Sequence, residues 1–132
     1  MQSASESLGP EGHARSVSPV STQTRSSHEA DRLALWEHCR NSLGIARLLV
    51  REGRPSPLVH TACHLAVEMA CRAALTVAGD PAEVSDAQAV LPADLRLQEA
   101  LASGERLAAA ERAVGWVADY LRSSAPERSW GF

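Results

Sequence analysis

Lysine is absent from this chain, and all 13 of its basic residues are arginine. They are outnumbered by 16 acidic residues, giving a net charge of −3, so no global positive charge draws the chain onto nucleic acid or an anionic surface. Aromatics are scarce, with three Trp, one Tyr and one Phe in 132 residues, so aliphatic side chains and alanine must build most of any core. Cysteine is sparse too. Cys39, Cys63 and Cys71 are an odd number without the dense spacing of a disulfide framework, and they read as reduced core residues of a cytoplasmic protein. No leading apolar run reads as a signal peptide. No segment alternates apolar and polar residues as a half-buried strand would, which removes the β and α/β classes.

Helical punctuation is plentiful instead. Residues 1–26 are serine-rich, hold two prolines and two glycines, and show no apolar periodicity. Such a segment cannot bury enough surface to offset its ordering entropy, and it is expected to be a disordered tail. A first helix is predicted from Ser26-Ser27-His28-Glu29, a capping box, to about Glu52, with Gly53, Pro55 and Pro57 beyond its end. Its Trp36, Cys39, Leu43, Ala46 and Val50 follow a 3, 4, 3, 4 spacing, the seam of a helix packed in a bundle. The short link predicts an antiparallel hairpin with the next helix.

That next helix is predicted over Ser56–Gly79, with Ser56 as N-cap and Pro57 at its first position. Only Glu68 and Arg72 carry formal charge within it, and a helix apolar almost all round has to be covered by protein. His60, His64, Glu68 and Arg72 recur every four residues and form one polar stripe along it. Three readings of the stripe stand side by side: a partly solvated edge with a Glu68–Arg72 pair, a buried polar network fixing register or a dimer seam, and a functional pocket using histidine. Asp80-Pro81-Ala82-Glu83 predicts a short third helix ending before Leu91-Pro92, and helix is expected again from Asp94 with a weak point at Ser103-Gly104. A last helix over about Glu105–Arg122 carries Leu107, Ala110, Val114, Val117 and Leu121 at the same 3, 4, 3, 4 spacing. The expected fold is an all-α antiparallel four-helix bundle, up-and-down, over residues 27–123.

Metal chemistry finds little support. His38, Cys39, Cys63 and His64 would make a tetrahedral set on paper, but neighbours on a helix point about 100° apart, and no CxxC or HExxH spacing is present. No metal or cofactor is expected. Residues 124–132 end in Ser129-Trp130-Gly131-Phe132, and two of the five aromatics lie in the last three positions. Trp130 and Phe132 are either a docking peptide for a partner or a segment folded back on the bundle.

Taken together, the two long helices with a short link, the run His64, Ala66, Glu68, Ala70, Ala73, Ala74, Leu75, and the later Ala110, Glu111, Trp116, Tyr120 resemble a HEPN domain over about Glu29–Arg122. The resemblance implies a small helical bundle associated with nucleotidyltransferases and RNA cleavage, acting as a dimer. Catalytic members carry an Arg-x4–6-His motif on a later helix. Arg54 and His60 fit its letters with five residues between them, but they flank the link and the start of the second helix, and the later helices hold no histidine. The expectation is therefore a HEPN-like binding or assembly module without catalysis of its own. It would be a homodimer, acting with a nucleotidyltransferase or other protein partner, or with RNA or a nucleotide, and away from membranes. The alternatives are a HEPN ribonuclease of a toxin–antitoxin or defence system with Arg54 and His60 as its catalytic pair, and an adaptor recruiting partners through its tails.

Overall fold

A computed structural model describes residues 17–77, 85–126 and 129–132, with side chains from His28 onward. The chain is all-α: the described residues form three α-helices, α1 (Val17–Arg51), α2 (Ser56–Leu75) and α3 (Ser103–Ser124), and no strand. Two 3-10 turns, Ala87–Val90 and Ala93–Leu95, lie between α2 and α3. The Asp80-Pro81-Ala82-Glu83 start of the expected short helix lies outside the described residues, as do residues 1–16 of the expected tail and the Gly79 stop. No helix among the described residues is long and apolar enough to cross a membrane.

The link between α1 and α2 follows from its residues. Gly53 takes a φ of 67°, which only glycine adopts at little cost. The Gly53 N–H donates to Val50 O at 3.1 Å and the Arg54 N–H to Leu49 O at 2.9 Å, a Schellman ending that satisfies two orphan carbonyls. α1 begins at Val17, ahead of the capping pattern at Ser26; Pro19 then falls in its first turn, where no N–H is needed. At the start of α2 the expected cap shifts by one: Pro55 holds the N-cap position, Ser56 is the first helical residue and Pro57 the second. Ser56 makes no capping bond, and its Oγ lies 3.1 Å from Ser103 Oγ at the start of α3.

α2 ends at Leu75 with Thr76 as its C-cap, before the expected stop. Thr76 Oγ1 donates to Ala73 O at 2.7 Å and accepts from the buried Arg32 Nε of α1 at 2.8 Å, so the last turn is tied down by its own side chain. The chain after Pro92 is also not the continuous helix expected from Asp94. Side chains supply the backbone partners there: Arg96 donates to Leu91 O and Ala89 O, each at 3.2 Å, and Gln88 Oε1 accepts the Leu97 N–H at 3.1 Å. These bonds hold a turn in a shape that a helical ladder would forbid. Regular helix resumes at Ser103, with Glu105 Oε1 accepting the Ala102 N–H at 3.3 Å.

α2 is the central element, packed against α1, α3 and the first 3-10 turn. Its buried residues are Val59, Val67, Cys63, Cys71 and five alanines. Such small side chains bring helix axes close together but each removes little area from water. The bulk comes from elsewhere. Trp36 and Trp130 head the largest fully buried side chains, each 1% exposed. Their rings meet edge to face at 5.8 Å, and both indole N–H groups are satisfied: Trp36 on Gly131 O at 3.2 Å and Trp130 on Ala125 O at 2.7 Å. Of the two readings of this end, Trp130 takes the second and folds back into the core; Phe132 remains 41% exposed, edge-on to Trp36. The α1 seam is as spaced, with Trp36, Cys39, Leu43 and Ala46 buried and Val50 half-buried.

Trp130→Ala is expected to cost about 3–5 kcal/mol, the usual range for deleting a buried indole. In thermal unfolding this should appear as a fall in Tm of more than about 10 °C. An unchanged Tm would return Trp130 to a peripheral role.

Candidate functional site

The polar stripe of α2 divides once it is folded. Glu68 joins its neighbours on both sides: His64 Nε2 stands 3.3 Å from Glu68 Oε1, and Arg72 Nε donates to Glu68 Oε2 at 3.2 Å. The side chain of His64 is 60% exposed and that of Glu68 32%. With His64 exposed and Glu68 and Arg72 half-buried, this part of the stripe is a partly solvated edge laced by pairs four residues apart.

His60 differs. Its ring is half-buried, and its Nε2 is fully covered and has no hydrogen-bond partner. It lines a pocket of about 460 Å³ together with Thr61, His64, Leu65, Glu99 and Arg106. Two elements build the pocket. One turn and a half of α2 supplies Thr61, His64 and Leu65, with the Thr61 hydroxyl donating to Pro57 O at 2.9 Å. The loop before α3 and the first turn of α3 supply Glu99 and Arg106. Arg106 is 6% exposed; its Nη2 donates to Glu99 O at 2.7 Å, while its Nε is buried without a partner. An unpaired buried polar atom costs about 1–3 kcal/mol, so two such atoms in residues that line one pocket need a reason.

The fold does not bring Arg54 into this site. Arg54 is exposed on the Schellman link and is not part of the pocket that takes in His60; the arginine beside His60 is Arg106. Arg106 and Glu99 went unnoticed in the sequence. The signal was present: Arg106 stands four residues before Ala110 and eleven before Val117, which places a cation on the core-facing side of α3.

The cysteines take no part. All three are unpaired and buried. Burial pushes the thiols of Cys39 and Cys71 up to about 12, Arg40 slightly opposing this at Cys39. Burial also raises Cys63, with Arg106 opposing and Glu111 adding. Cys39 and Cys63 are wholly buried while His64 points outward, and no three His, Cys, Asp or Glu side chains converge among the described residues.

Beyond the Thr61–Leu65 ridge of α2 lies a second hollow, an apolar groove of about 410 Å³ between α1 and α2, with Ile45, Leu49, Leu58 and Ala62 in its walls. Ile45 is 54% exposed, Leu58 47% and Leu48, one turn along α1 from Ile45, 42%.

Two outcomes follow. Glu68→Ala should cost about 0.5 kcal/mol in chemical unfolding, the worth of exposed helix pairs, and a loss above about 1.5 kcal/mol would restore the buried-network reading. The thiols set an alkaline limit. Cys39 and Cys71 keep their protons to about 12 in the fold, against an ordinary value of 9.0. Their stabilisation is full below pH 9 and is lost as pH rises towards 12, by about 1.4 kcal/mol per pH unit for each thiol. The urea midpoint should therefore fall between pH 9 and 11, and more gently in a Cys39→Ala, Cys71→Ala variant. No protein-family model, curated protein or solved structure matches this chain.

Proposed function

We propose that the chain is a HEPN-like binding and assembly module that pairs with a second copy of itself through the exposed α1–α2 face. The observation that carries this is the apolar groove bordered by Ile45, Leu49 and Leu58, which continues onto Leu48. Exposed aliphatic side chains grouped on one face are what an association surface presents. Gly44 adds to it. It sits mid-helix beside Ile45 and one turn before Leu48, and a side chain there would meet nothing within 4 Å. A mid-helix glycine costs about 1 kcal/mol relative to alanine, which a neighbouring helix passing close over its bare backbone would repay. A two-fold contact between α1–α2 hairpins uses the same patch on both copies. A nucleotidyltransferase or other protein partner, as the HEPN resemblance implies, would occupy the same apolar face.

The ribonuclease reading draws on His60 and Arg106, an imidazole and a guanidinium lining one pocket. Glu99 also lines it, so the lining carries no net positive charge to attract a polyanionic strand. Of the aromatic end that the adaptor reading uses beside the N-terminal tail, Trp130 lies in the core and Phe132 at the surface.

Sedimentation in reducing buffer at about 10–50 μM, where weak dimers form, should show a dimer. Leu58→Asp and Ile45→Asp should each give monomer with helical content kept, since both residues are exposed in the single chain. A wild-type chain that stays monomeric at these concentrations overturns the assembly reading. Incubation with single-stranded RNA should give no cleavage; cleavage abolished by His60→Ala in a folded variant would put the nuclease first.

A further inference from the structure

The pocket between α2 and α3 holds more hydrogen-bonding capacity than the fold uses. Arg106 is 6% exposed and spends Nη2 on the Glu99 carbonyl, but its Nε–H is buried and unpartnered. His60 Nε2, in the wall of the same pocket, is likewise buried and unpartnered. A guanidinium can only donate, and an imidazole nitrogen donates once it carries the ring proton. Two unused donors beside one hollow match an acceptor that comes from outside the chain. Both atoms are covered as the side chains stand. Binding therefore requires side chains of the pocket wall to rotate, and the half-buried His60 is one of them.

The remaining lining says what kind of acceptor. Formal charge comes from Arg106 and Glu99 alone, and the two cancel. With no net positive charge in the lining, the second charge of a dianion would be desolvated without a net Coulombic return. Leu65 gives the pocket an aliphatic wall, suited to a hydrocarbon body. At about 460 Å³ it has the size of a small-molecule site and is far larger than a single water needs.

We propose that this pocket binds a small monocarboxylate with an apolar body, its carboxylate taken by Arg106 and His60 and its body laid against Leu65. The proposal does not rest on self-association: His60, Glu99 and Arg106 line this pocket and not the apolar groove, although Thr61 and Leu65 border both.

Nitrogen-15 NMR of the full chain in reducing buffer tests it, with benzoate as probe, benzyl alcohol as its uncharged counterpart and inorganic phosphate as the dianion. Benzoate at up to about 20 mM should give saturable shifts at the amides of His60, Glu99 and Arg106, and at the Arg106 Nε–H itself. Benzyl alcohol should bind at least about tenfold more weakly, the difference one charge-assisted bond makes, and phosphate should leave these signals unmoved. Arg106→Gln should weaken benzoate by about tenfold or more. If that variant does not fold, the wild-type Nε–H shift and a His60→Phe variant carry the test. Absence of a saturable shift at Arg106 Nε–H, equal binding of benzyl alcohol, or shifts confined to the Ile45–Leu58 groove would each overturn the proposal. Phosphate binding more tightly than benzoate would overturn the monocarboxylate assignment in favour of a phosphate ligand.

Discussion

The need to cover α2 governs the rest of this structure. Its buried surface is made of five alanines, two cysteines and two valines, so neighbouring helices approach it closely but gain little area from each side chain. α1 supplies the largest cover, and α3 and the first 3-10 turn complete it. Close approach of helices with small side chains leaves little room between them for large groups, and the bulk has to be placed at the edges. Trp36 and Trp130 provide it, stacked edge to face where the segment after α3 folds back over α1. Arg47 holds that segment in place, with its Nε on Glu111 of α3 at 2.7 Å, its Nη1 on Phe132 O at 3.2 Å and its guanidinium 5.9 Å from the Phe132 ring. One arginine thereby joins α1, α3 and the final residues.

The same constraint sorts the polar residues. A helix covered on most sides keeps one narrow strip facing outward, and on α2 that strip carries Leu58, Thr61 and His64 exposed, with Leu65, Glu68 and Arg72 half-buried. The strip separates the two hollows of the molecule. On one side lies the apolar groove of α1 and α2, on the other the polar pocket closed by Arg106. Thr61 and Leu65 border both, so a substitution there would disturb an association surface and a ligand pocket together.

Local chemistry was legible wherever a residue acts through its own backbone or its helix period. Gly53 ended α1 where a left-handed residue was required, and the 3, 4, 3, 4 seam of α1 went to the core at Trp36, Cys39, Leu43 and Ala46. Legibility failed where a side chain bonds to distant backbone. The loop after Pro92 is held by Arg96 and Gln88 reaching carbonyl and amide groups five to nine residues away, and nothing in helical periodicity announces such bonds. Trp130 was ambiguous for a related reason, since a lone aromatic after a helix reads the same whether it docks outward or inward. The stripe of α2 was read as one unit, whereas its members met different surroundings.

The sequence by itself determined the helical class, the α1–α2 hairpin and the burial of α2, because propensity, capping and the apolar period are properties of short segments. Tertiary structure alone decided which arginine stands beside His60. Arg54 is close to His60 in sequence but is held outward by the ending of α1, while Arg106, 46 positions later, is carried to it by the packing of α3 on α2. Proximity in a bundle is set by which helix faces meet, and that is a property of three helices at once.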